Sequence, residues 1–286
     1  MKTLIQLTLI FTLCCAAACK RGELSQEPLQ SEIFTVNGEG FEMVLVEGGT
    51  FMMGATSEQG RDCESNEKPA HEETLSSFYI GKYEVTQQMW EAVMGADFNP
   101  SFNSACKECP VEQVSWKDAE TFITKLNILT GKTFRLPTEM EWEYAARGGN
   151  RSRGYKYSGS NRIDEVAWYL DNYQKEPYGT KKTTHPVGMK KPNELGLYDM
   201  SGNVWEWCSD WYKKEYHHNG KSVHPEWPLK GAPLYFRRII RGGSWGGSGK
   251  GCRVSYIDYD VEGYRDEYGG LRLVLEPDTV QLTTNK

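Results

Sequence analysis

The sequence contains no His-Glu-x-x-His and no Gly-x-Ser-x-Gly, so neither a zinc-protease helix nor a serine-hydrolase elbow has residues to stand on. It has no excess of positive charge. Lys+Arg total 33 against 39 Asp+Glu, a formal charge of −6 that becomes −7 once Lys2 leaves with the leader, which argues against nucleic acid as a partner. Strong internal repeats and low-complexity tracts are also lacking. The stretch nearest to a phosphate loop, "SWGGSGKG", has Ser244 where the first glycine belongs. It also has Gly251 after Lys250 where a magnesium-binding hydroxyl is needed, so nucleotide binding is not expected. The N-terminal apolar run "TLIQLTLIFTLCC" is too short and wrongly flanked for a transmembrane helix.

That run instead reads as an export signal over residues 1–18, with Ala16, Ala17 and Ala18 directly before Cys19 in the manner of a bacterial lipobox. Cys19 is then a lipid-bearing N-terminus; the alternative is ordinary cleavage that leaves it a spare thiol. Residues 19–39 lack sustained periodicity and read as a tether. A composition of 38% hydrophobic and 12% aromatic residues supports a real core, so one large domain is the default. Of eight cysteines, Cys14 and Cys15 leave with the signal and Cys19 is the lipid candidate, so Cys63, Cys106, Cys109, Cys208 and Cys252 remain for the fold. An odd number in an oxidising compartment leaves at least one thiol unpaired or bound to something else.

Three helices carry start and stop signals. Thr86 caps "VTQQMWEAVMG" and Gly95 ends it; Ser115 and Asp118 form a looser capping box before "AETFITKLNILTG"; Thr138 and Glu141 form the best-marked one, ahead of Gly148-Gly149. "FEMVLVEGGTFMMG" reads as a hairpin turning at Glu47-Gly48-Gly49, and "LRLVLE" as a strand with Leu271, Leu273 and Leu275 on one face. Beyond about residue 150, glycine, asparagine and aromatics predominate, and loops packed by large rings are expected.

Several motifs hold chemistry-bearing residues. His217, His218 and His224 lack the spacing of a structural zinc site and read as a solvated loop. Cys106 and Cys109 form a C-x-x-C followed by Pro110; away from a helix N-terminus, a local disulfide staple is favoured over a redox pair. In "GLYDMSGNVWEWCSDWY", Asp199 and Glu206 offer hard oxygens around a Gly-Asn turn, as calcium prefers, or else the segment is a capped turn lined by Trp205, Trp207 and Trp211.

Taken together and in order, "FYIGKYEVT", "NPS", "PVEQVSW", "RLPTEMEWEYAARGG", "GLYDMSGNVWEW" and "RGGSW" resemble the formylglycine-generating enzyme, or sulfatase-modifying factor, family over about residues 40–276, leaving 277–286 as a tail. The resemblance implies a compact α+β domain with little regular secondary structure, related to the C-type-lectin-like fold. Enzymes of the family use copper and O₂ to oxidise a substrate cysteine to formylglycine, and calcium is structural. One calcium site carries over to the side chains of Asp199 and Glu206 and the carbonyls of Gly202 and Val204; the family's second site has no counterpart near "DEVAWYLDN". The family's two copper cysteines fall at Gly247 and Cys252, so one of two soft ligands is absent. Cys208 replaces it only if the fold brings the two together, and such a pair could equally be a disulfide. Ser244 matches the family serine beside the copper, or is a turn residue. Trp205, Arg241 and Trp245 are expected to line a binding cleft. These features favour a lipid-anchored envelope module, placed at the outer membrane of a Gram-negative bacterium, that holds an exported peptide, a glycan or another envelope protein. The alternative is a working oxidase built on Cys252.

Overall fold

Hydroxyl side chains start the three longer helices of the computed structural model, which describes residues 29–174, 183–212 and 237–277. Thr86 Oγ1 accepts from the Met89 amide to open α1 (Gln87–Met94). Ser115 and Asp118 cap each other's backbone at α2 (Trp116–Thr130), which ends on left-handed Gly131. Thr138 and Glu141 do the same for α3 (Glu139–Ala146). A fourth helix, α4, is a single turn over Ile163–Val166. Such reciprocal caps satisfy amide donors that a helix start otherwise leaves without partners.

The strands, in chain order, are β1 (Ser31–Val36), β2 (Glu39–Val46), β3 (Gly49–Met53), β4 (His71–Leu75), β5 (Phe78–Gly81), β6 (Phe134–Arg135), β7 (Trp205–Tyr212), β8 (Arg237–Arg241), β9 (Asp258–Val261), β10 (Gly269–Gly270) and β11 (Val274–Leu275). They form a five-stranded sheet in the order β1-β2-β5-β11-β6, a four-stranded sheet β10-β7-β8-β9, and the pair β3-β4. The mixture of short helices and small separate sheets is the expected α+β class.

Two expectations need correction. β2 and β3 do not form a hairpin: β2 pairs with β1 and β5, while β3 pairs with β4 in another sheet. Gly48 is where they part, because a Cβ there would lie 2.5 Å from the Leu75 carbonyl oxygen and its amide is already bonded to Ser77 Oγ. The tether also ends earlier than anticipated. Ser31–Val36 is a full strand against β2, held by backbone pairing along six residues with only Phe34 and Val36 turned inward, a pattern too short for sequence periodicity to register. Cys19 and the three histidines at 217, 218 and 224 lie outside the described residues.

Leu271, Leu273 and Leu275 share one apolar cluster with α1 and α2, where Trp90 stacks on Phe122 at 4.9 Å between ring centres. Val274 turns to the opposite cluster, built on Trp142 of α3 and on Val44, Ile80 and Ile239. The last segment is therefore buried on both faces. Indole N–H groups tie the loops together: Trp116 donates to the Cys208 carbonyl, Trp207 to Val114 and Trp245 to Glu267. Each tryptophan thus brings apolar area and one satisfied polar contact.

Candidate functional site

The loop between β8 and β9 carries Ser244, Gly247 and Cys252, and it is bonded to the loop that leads into β7. Gly202 donates its amide to the Gly242 carbonyl and Trp245 donates to the Asn203 carbonyl, both at 2.8 Å, so the two motifs form one unit. Gly243 has φ +79° and a Cβ at that position would stand 2.8 Å from Cys252 Sγ. That glycine is required twice over, for its left-handed backbone and for the room the thiol occupies.

Cys252 is fully buried, in a small cluster with Ala167 and Tyr169 and with Tyr157 and Ile163 packed against it. Burial pushes its thiol up to about 12, so it is neutral at physiological pH. An open cavity of about 480 Å³ lies beside it, lined among others by Lys156, Tyr157, Tyr169, Asp171, Lys250 and Arg253. Cys252 itself does not line that cavity. The two rings that do, Tyr157 and Tyr169, also belong to the packing around Cys252.

The other free thiols are not brought to Cys252 as partners. Cys208 is buried on β7 in the Trp142 cluster, a different one, and no disulfide joins it to Cys252. Cys63 is half-exposed and receives Arg253 Nη1 at 3.4 Å. Burial first, and then the Glu67 charge, raise its pKa. Cys106 and Cys109 are joined to each other, Cα to Cα 5.3 Å. A Cβ at Gly247 would meet nothing nearer than Ser244 Oγ at 3.4 Å, so the backbone there has room for a side chain although the glycine supplies no second ligand. A single enclosed thiol, with glycine at the second position, does not fit a two-thiolate Cu(I) centre.

The anticipated calcium set meets a competitor. Glu206 is fully buried; both its oxygens accept from Arg272, with Nη2 at 2.6 Å from Oε1 and Nε at 2.9 Å from Oε2, and Trp142 Nε1 donates to Oε2 at 2.7 Å. Arg272 spends its remaining donors on the Gly81 and Tyr198 carbonyls, each at 2.9 Å. A carboxylate has about four acceptor directions, and here they are taken by protein. Asp199 offers more: its Oδ2 accepts from the Gly188 amide, while its buried Oδ1 has no partner. Burial pushes the Asp199 pKa up to about 6. As arranged, Asp199 could present an oxygen to a cation but Glu206 could not, so the set of Asp199, Gly202, Val204 and Glu206 does not fit calcium.

The expected cleft also needs correction. Arg241 is fully buried and bonded to Glu143 and to the Val254 carbonyl, bracing α3 against the β8–β9 loop rather than facing a ligand. Trp245 and Ser244 are buried as well. Trp205 is half-buried and lines a separate cavity of about 160 Å³ with Trp207, Tyr259 and Asp258.

Sequence reasoning missed Glu84, whose oxygens accept from Asn203 Nδ2 at 2.7 Å and the Val204 amide at 3.1 Å. It also missed Arg253, held by Glu67 through two contacts of 2.6 Å. The signal for buried arginine was present in "LRLVLE", where Arg272 interrupts a run otherwise apolar on both faces.

This α+β arrangement, with a glycine-rich loop between two strands of the four-stranded sheet, defines the class to which the chain belongs: it is a member of the family of sulfatase-modifying factor enzyme 1-like domains, which it matches over residues 30–277. Among relatives, it is 36% identical over 277 residues to "Chaperone protein LppX" of Paenibacillus barcinonensis, covering 82% of this chain and 89% of that one. It is 41% identical over 142 residues to the formylglycine-generating enzyme of Streptomyces coelicolor, covering 48% of this chain and 42% of the enzyme. Among solved structures, Treponema denticola variable protein 1 superposes with a TM-score of 0.70 at 30% identity, covering 86% of this chain and 99% of that one. No helix among the described residues is long and apolar enough to cross a membrane.

Proposed function

We propose that this protein is a lipid-anchored binding or assembly module of the cell envelope, and not a working oxidase. One observation carries the proposal: Cys252 is fully buried, packed in one cluster with Tyr169 and Tyr157, and does not line the adjoining cavity that those two rings line, while glycine stands at the position of the second ligand. A substrate thiol entering that cavity would meet rings and side-chain charges, not sulfur. The cavity itself suits an extended peptide or a glycan, since it pairs aromatic walls with Lys156, Lys250, Asp62 and Asp171. The name of the Paenibacillus relative, a chaperone, is in keeping with a role in handling other proteins. Retention at the outer membrane through Cys19, with an exported peptide, a glycan or an envelope protein as ligand, completes the proposal.

The test is a Cu(I) titration of the reduced protein beside Cys252→Ser, Cys208→Ser and Gly247→Cys. A binding module gives weak Cu(I) affinity that is indifferent to both serine changes, and a large gain in Gly247→Cys only if the two sulfurs can then meet. Tight wild-type binding lost in Cys252→Ser, together with copper-dependent O₂ uptake in the presence of a cysteine peptide, would establish the oxidase instead.

A further inference from the structure

A second cavity, of about 510 Å³, shares no lining residue with the one beside Cys252. It lies between the β1–β2 hairpin, the segment from β5 into α1, and Leu273, with Glu108 and Val187 also on its wall. Its walls are largely apolar, from Phe41, Met43, Val85, Met89, Val187 and Leu273. The charged side chains that line it are all acidic. Four carboxylates do so, Glu39, Glu42, Glu84 and Glu108, and no lysine, arginine or histidine does.

The balance of charge around these carboxylates is incomplete. Glu42 has a cation, Lys82 Nζ at 2.8 Å. Glu39 accepts from the neutral amide of Gln88 at 2.8 Å, and Glu84, 2% exposed, accepts from a neutral side-chain amide and a backbone N–H. Burial, with the Asp199 and Glu206 carboxylates nearby, raises the Glu84 pKa well above the usual carboxylate range, so the negative charge of the cavity rests on Glu39, Glu42 and Glu108. Glu108 is exposed at the edge. Acidic side chains over an apolar, partly enclosed surface repel anions and attract cations more strongly than the same charges in open water. The volume falls within the range of small-molecule sites, about 300–1,000 Å³. Tyr83 and Phe41 add ring faces that favour a cation further, as Lys82 Nζ already shows at 5.7 Å from the Tyr83 ring centre. A bare divalent ion does not suit the arrangement, because no three ligating side chains converge anywhere among the described residues.

We propose that this cavity is a binding site for a small organic cation: a protonated amine carried on an apolar body, with the amine among the glutamates and the body against Phe41, Met43 and Leu273. The site is independent of the Cys252 loop and stands whether or not that loop is catalytic.

The experiment is calorimetric titration of the full chain with three probes of matched size, phenethylammonium, 2-phenylethanol and phenylacetate. Phenethylammonium is expected to bind about tenfold or more tightly than the alcohol, with phenylacetate weaker still, and its affinity should fall with added salt. Glu39→Gln combined with Glu108→Gln should erase most of that preference. Gly40→Trp should block the cavity while leaving the fold intact, since a Cβ on Gly40 meets nothing closer than 4.0 Å; an unchanged melting temperature checks this. Equal affinity for the three probes, no phenethylammonium binding at millimolar concentration, or binding that survives Gly40→Trp would each overturn the proposal.

Discussion

Replacing Arg272 by methionine should be among the most damaging single changes in the chain. Its guanidinium is fully buried and makes contacts to three partners: both oxygens of Glu206, the Gly81 carbonyl and the Tyr198 carbonyl. Methionine fills much of the volume but leaves the Glu206 carboxylate enclosed, with Trp142 Nε1 as its one remaining donor. Removing one partner of a buried ion pair costs about 3–5 kcal/mol, because the other charge is stranded. In a domain of this size each kcal/mol is worth roughly 2–4 °C of melting temperature, so a loss of about 6–20 °C is expected. Lys250→Met is the control, since the Lys250–Glu64 pair is largely in water and such pairs contribute about 0–1 kcal/mol. Glu206→Gln in the Arg272→Met background should restore part of the loss, because it removes the stranded charge while the Trp142 contact survives. Urea unfolding of the four proteins measures this. If Arg272→Met costs no more than Lys250→Met, or if the second change adds its own full penalty, the buried pair is not what joins β7 to the final strand.

The calcium question has a direct answer in the same assay. With Glu206 engaged by Arg272, millimolar calcium should leave the melting temperature within about 1 °C of the chelated protein, whereas a site filled to 100 times its dissociation constant would add about 2.7 kcal/mol; a calcium-dependent rise lost in Asp199→Asn would show that the ion displaces the arginine. The pH dependence is set in part by Glu112, buried with Oε2 unpartnered and pushed up to about 7, chiefly by burial. A carboxyl raised in the fold contributes stability that is complete below its unfolded pKa and is lost as pH climbs from about 4.5 towards 7. Glu112→Gln should therefore flatten the fall in unfolding free energy across that window by about 3 kcal/mol, and an unchanged pH profile would refute the assignment.

The parts of the fold that depend on neighbours in sequence were legible beforehand. Thr86, Ser115 and Thr138 announce helix starts because capping needs residues only three apart, and each cap forms as the spacing requires. The alternation Leu271-Leu273-Leu275 was legible for the same reason, although the burial of Arg272 and Val274 on the other face was not. The sequence around Trp205, Trp207 and Trp211 suits a ligating turn or a capped turn and does not announce β7; what makes it a strand is pairing with β8, around thirty residues away and beyond local pattern.

At the candidate site the illegible part decides function. Sequence showed that glycine stands at position 247, yet it could not show that Tyr157 and Tyr169, roughly 90 residues before Cys252, pack in its buried cluster. Nor could it separate Cys208 from Cys252, since both sit in apolar surroundings that local composition renders alike. Charged residues mislead in the same way. Arg241, Arg253 and Arg272 look like surface or cleft groups one at a time, but each has a buried carboxylate from a distant segment, Glu143, Glu67 and Glu206 respectively. With so little regular secondary structure beyond α3, these pairs take over the task that helix packing performs elsewhere, setting the position of one loop against another. Arg241 and Arg253 anchor the glycine-rich loop to Glu143 and Glu67, and within that loop burial alone pushes the Cys252 thiol up to about 12.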